Sequence, residues 1–116
     1  MPTPERVEEF SVGVFTILPV EVAQLARKDS CSIIVDVREM RDFSKEHVPG
    51  AINLPPGHWG RISGWRDDLT MILYSYSTEC HEALHAAVTF ARYGYSVLVM
   101  EGGFEAWRQA KLPTEK

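Results

Sequence analysis

Apolar residues in this chain come in short runs separated by charged or glycine- and proline-containing breaks, and their spacing alternates between helical and extended periods. Residues 1–10 carry two prolines and several charges with little apolar periodicity, the pattern of a loosely attached arm. Pro19 suits the first turn of a helix, and Val20, Val22, Ala23, Leu25 and Ala26 continue an apolar face up to the polar residues 27–30. Residues 32–37 are β-branched and almost continuously apolar, which predicts a central strand covered on both faces. A charged stretch, residues 38–46, precedes a Pro49-Gly50 turn and a second short strand starting near Ala51. Residues 55–68 read as a long loop with room for one helical turn around Ile62. A third strand follows at residues 70–74, then a helix over residues 81–93 stopped by Gly94. A fourth strand spans residues 96–100, and Glu101-Gly102-Gly103 turns the chain into a last short helix over residues 104–109, with Trp107 directed to the core.

Strands alternating with helices predict an α/β domain whose mainly parallel sheet is flanked by helices on both faces. Its 116 residues suffice for one such domain, here residues 11–116, around one core. Sixteen acidic against twelve basic residues give a net charge of -4, with no basic stripe to neutralise a phosphate backbone, so nucleic acid is not expected as a partner. No apolar run approaches the roughly 20 residues that span a bilayer, so no membrane association is expected. The opening residues lack a basic region followed by an apolar one, and Cys31 and Cys80 could form at most one bridge, which together predict a cytoplasmic protein with reduced thiols.

In a parallel sheet, the carboxyl ends of the strands gather loop amides and helix N-termini, an arrangement suited to anions. The connection from the third strand to the following helix, Ser75-Tyr76-Ser77-Thr78-Glu79-Cys80, lies at such an end, with His81 next, and its amides are expected to form a concave cradle. Asp36 and Arg38, at the end of the central strand, are suited to bracing that loop, and His47 to fastening the Pro49-Gly50 turn. Trp59 and Trp65 either rim the loop or cover the core. His81 and His85 lie four apart on one helix, but no third ligand stands at a matching spacing, so neither a metal nor another cofactor is expected.

Three stretches, Asp36-Val37-Arg38-Glu39, then Phe43 with Glu46-His47-Val48-Pro49-Gly50-Ala51-Ile52-Asn53, and finally Glu101-Gly102-Gly103-Phe104-Glu105-Ala106-Trp107, together resemble the signatures of the rhodanese family in their order and spacing. The resemblance covers residues 18–113 and implies transfer of sulfane sulfur, through a persulfide, from a donor such as thiosulfate to a thiophilic acceptor. In that family a cysteine opens the loop after the third of these strands. Here that position is Ser75, whose hydroxyl cannot carry a persulfide. Many relatives also have a glycine near Thr78 and an arginine at Cys80. The six-residue loop resembles sulfur-transferring members more than the related phosphatases, whose loop is one residue longer.

Cys80, at the first turn of the predicted helix, could carry sulfur itself or simply close the loop, while Cys31 reads as packing. Three readings follow: a sulfurtransferase in which Ser75 is either an engineered replacement of cysteine or a natural change rescued by Cys80; a non-catalytic module that binds an anion such as thiosulfate, a persulfide-bearing protein or a regulatory partner; and a purely structural or regulatory domain with no ligand.

Overall fold

The computed structural model describes residues 14–28, 31–62, 64–65, 68–77 and 81–116. Five strands, β1 (Val14–Ile17), β2 (Ser32–Asp36), β3 (Ile52–Asn53), β4 (Thr70–Tyr74) and β5 (Ser96–Met100), form one sheet in the order β1-β5-β4-β2-β3. Every pairing is parallel, and β2 runs in register with β4 from Ser32 opposite Thr70 to Asp36 opposite Tyr74. The helices are α1 (Pro19–Lys28), α2 (Met40–Lys45), α3 (Glu82–Arg92) and α4 (Gly103–Gln109), with a single 3-10 turn at Trp59–Ile62.

Side chains of a strand alternate between its faces, and both faces of β4 are covered. Met71 and Leu73 join Ala86 and Phe90 of α3 in one core cluster. Ile72 and Tyr74 join Val22 of α1 and Phe104 and Trp107 of α4 in the other. Burying each large apolar side chain contributes about 1.5–3 kcal/mol, so the continuous apolar runs of β2 and β4 take the two-sided positions. The α/β class, the parallel sheet and the helices on both faces all match the pattern read from the sequence.

Two elements did not stand out in that pattern. Strand β1 is four residues long and lies at the sheet edge, where Phe15 is 65% exposed, so it lacks the uninterrupted apolar run of a two-sided strand. Helix α2 is a six-residue piece with no buried residue, built within the charged stretch, and only Phe43 leans on the core. The predicted arm over residues 1–10 lies outside the described residues. Among the described residues no helix is long and apolar enough to cross a membrane.

The topology places the site. From β2 the chain moves outward through α2 to edge strand β3, then returns on the other side of β2 as β4 and leaves through α3 toward β5. Phe43 of α2 packs with one core cluster and the α3 residues with the other, so the two connections depart over opposite faces. Where neighbouring strands send their connections apart, a crevice opens at their carboxyl ends. Asp36 and Arg38 flank it from β2, and Ser75 and Tyr76 from β4.

Candidate functional site

Ser75 follows directly on β4 and begins the connection to α3. Its carbonyl accepts a hydrogen bond from the Phe104 amide at 2.8 Å, and the Tyr76 carbonyl accepts one from the Glu105 amide at 2.9 Å. The first turn of α4 is therefore a bracket beneath the loop. A trans peptide directs its N–H opposite to its C=O, and the described chain has no cis bond, so the Tyr76 and Ser77 amides face the side away from α4.

This approach requires glycine. Gly103 has φ +62°, and a Cβ there would lie 2.7 Å from both the Ser75 carbonyl oxygen and the Ser77 nitrogen. At Gly102, with φ +77°, an added Cβ would meet the Ala106 methyl at 2.4 Å. Gly103→Ala is expected to cost about 1–3 kcal/mol of stability from backbone strain, as the loop and helix are forced apart. Urea denaturation checks this, and an unchanged midpoint would show that the bracket tolerates a side chain.

Ser75 is 1% exposed, and its hydroxyl has no hydrogen-bond partner among the described residues. A buried polar atom without a partner costs on the order of 1–3 kcal/mol, so its retention calls for a reason, and a bound partner is one. No described imidazole or carboxylate touches this hydroxyl, so none stands ready to draw off its proton as a base.

The walls of the crevice converge on Arg38. Its Nε donates to both oxygens of the buried Asp36 carboxylate at 3.1 Å, and its Nη2 donates to Asp36 Oδ2 at 2.9 Å and to the Glu46 carbonyl at 2.6 Å. The guanidinium carbon lies 4.2 Å from the Phe104 ring centre. Burial opposes its charge, but the hydrogen bonds and charge of Asp36 outweigh that and raise the Arg38 pKa. Tyr74 lies beside the pair and accepts from the Val48 amide at 3.1 Å. Burial, reinforced by the Asp36 carboxylate, pushes its phenol well above the ordinary range and keeps it neutral. Asn53 donates to the carbonyls of Asp36 at 2.9 Å and Arg38 at 3.0 Å, tying β3 to the end of β2.

His47 stacks flat on Phe43 with ring centres 3.8 Å apart, and its Nδ1 meets the Phe43 carbonyl at 2.8 Å. Its backbone pairs with Glu115, whose carboxylate also accepts from Gly50 N–H at 3.1 Å. Trp59 donates to the Leu54 carbonyl at 3.0 Å and meets Phe90 edge-on, and Trp65 packs against the same core cluster. Both tryptophans thus have core contacts. His81 and His85 are exposed at the start of α3, and among the described residues no three His, Cys, Asp or Glu side chains gather. Thr78, Glu79 and Cys80 lie outside the described residues; Cys31 is half-buried at the start of β2.

Sequence reasoning placed Tyr76 in the loop but missed its partnership with Asp42, and it missed Asn53 and Tyr74. The Tyr76 hydroxyl donates to Asp42 Oδ2 at 2.5 Å and accepts from the Glu39 amide at 3.3 Å. Tyr76 and Asp42, with Arg38, Phe104 and Arg108, line a cavity of about 630 Å3 between α2 and α4. Only Asn53 had a signal, as a polar residue closing the apolar run after the Pro49-Gly50 turn.

Residues 18–110 match the model of the rhodanese-like domain. The chain belongs to that family. It is 35% identical over 107 residues to the uncharacterized protein slr1261 of Synechocystis, covering 87% of this chain and 56% of that protein. It therefore spans little more than half of that relative. Over 103 residues it is 30% identical to the thiosulfate sulfurtransferase GlpE of Pseudomonas savastanoi pv. phaseolicola, covering 87% of this chain and 93% of GlpE. The crystal structure of BH2092 from Bacillus halodurans superposes with a TM-score of 0.82 at 24% identity, over 96% of this chain and 82% of that one, a likeness of fold. The expected rhodanese-like fold is thereby established for this chain.

Proposed function

We propose that this rhodanese-like domain binds a small sulfur-bearing anion such as thiosulfate, or the persulfide of a partner protein, in the loop of residues 75–80 without carrying sulfur covalently. The carrying observation is the Ser75 hydroxyl, buried and without a described partner, at the mouth of a loop whose first two carbonyls are turned away into α4. Amides on the other side, together with the N-terminus of the 11-residue helix α3, favour an anion. Sulfur transfer through this position would need a thiolate, and a serine hydroxyl has no sulfur with which to form one or to hold a persulfide. The likeness to GlpE, a thiosulfate sulfurtransferase, supports the choice of sulfur anion as ligand.

Calorimetric titration with thiosulfate is expected to give saturable binding, while thiosulfate-to-cyanide transfer stays at background. Absence of binding would overturn the reading. So would brisk turnover, or an added sulfur atom on Cys80 detected by peptide mass analysis after incubation with thiosulfate, since either would make the chain a sulfur carrier.

A further inference from the structure

Tyr76 is pinned at both of its ends. Its carbonyl is held by the Glu105 amide at 2.9 Å, and its hydroxyl crosses the crevice to Asp42 Oδ2 at 2.5 Å and the Glu39 amide at 3.3 Å. We infer that Tyr76, latched to Asp42 on α2, is a positioning residue that holds the loop in its ligand-binding form.

The backbone torsions of Tyr76 set the directions of the peptide units before and after it, and these carry the Tyr76 and Ser77 amides. With both ends of the residue tethered, those torsions have little freedom, and the cost of ordering the loop is met before any ligand arrives. The short bond to a carboxylate makes this tether stronger than a neutral hydrogen bond. The hydrogen bond from Tyr76 holds the Asp42 carboxyl below its usual range, with Lys45, Arg38 and Arg41 adding to the effect. Burial and the same bond raise the Tyr76 phenol, so proton and acceptor keep their roles over a wide pH range. The latch also forms a wall of the 630 Å3 cavity between α2 and α4.

This inference takes its ligand from the anion reading above, but the latch is a property of the loop itself, and the experiment separates the two. Tyr76→Phe keeps the ring and its place beside Arg38, and Asp42→Ala keeps a helix former on α2. In thiosulfate titrations each variant is expected to bind about three- to tenfold more weakly, and the double variant no more weakly than either single one. The thermal midpoint should fall by only a few degrees, and in Tyr76→Phe the Asp42 carboxyl should titrate at a higher pH than in the parent. Hydrogen exchange at the Tyr76 and Ser77 amides without ligand should be faster in both variants. Additive losses, or unchanged affinity with unchanged exchange, would overturn the latch. If the parent chain takes up no thiosulfate, the anion reading fails and exchange alone decides: faster amides uphold the positioning role, unchanged amides overturn it.

Discussion

Ser75→Cys is expected to raise thiosulfate-to-cyanide sulfur transfer from background by on the order of a thousandfold or more, comparable to what loss of a nucleophile costs in hydrolases. The substitution exchanges one small side chain for another at a buried position whose hydroxyl has no described bond to lose. The new thiol would stand beside amides facing away from α4 and ahead of the N-terminus of α3, both of which favour a thiolate. Its attack on the outer sulfur of thiosulfate forms the persulfide and releases sulfite. Cyanide then takes that sulfur as thiocyanate and returns the thiolate. The substitution adds no cation to the loop, so the gain is expected more in turnover than in KM. A variant that stays at background and shows no added sulfur at position 75 would mean that the loop cannot present a nucleophile.

Asp36→Ala is expected to cost about 3–5 kcal/mol of folding stability, because it leaves the buried Arg38 guanidinium without its ion-pair partner. Asp36 is fully buried, its Arg38 partner 5% exposed, and three side-chain nitrogen–oxygen contacts at 2.9 to 3.1 Å join them. The Glu46 carbonyl and the Phe104 ring remain but supply no full charge. The double variant Asp36→Ala with Arg38→Met should recover much of the loss, since an apolar side chain of similar length needs no partner. Denaturation midpoints of the three chains check this. A single variant costing less than about 1 kcal/mol, or a double variant no better than the single, would show that the pair is not the support described.

Legibility in the sequence followed the local character of each signal. The runs at residues 32–37 and 70–74 are almost continuously apolar because both faces of β2 and β4 are covered, and that alone places them at the centre of the sheet. Pro19 and the glycines at 102–103 mark helix entry by backbone chemistry that few other residues share. Edge strand β1 and helix α2 bury too little to impose a period. Within the site, Ser75 was visible through its place at the end of a strand and through the resemblance. The partnership of Tyr76 with Asp42 was not, because it joins residues 34 positions apart on separate connections. Asn53 reads as a polar terminator of its run, and only the fold reveals that it holds the carbonyls of Asp36, the last residue of β2, and of Arg38 just beyond it.

The bracket beneath the loop also orders events during synthesis. Ser75 and Tyr76 leave the ribosome well before Phe104 and Glu105, whose amides hold their carbonyls. Strands β2 and β4 can pair earlier, but the crevice stays unfinished until the last helix emerges and folds back under it. A nascent chain arrested between β5 and α4 would therefore carry a nearly complete sheet with an unformed site.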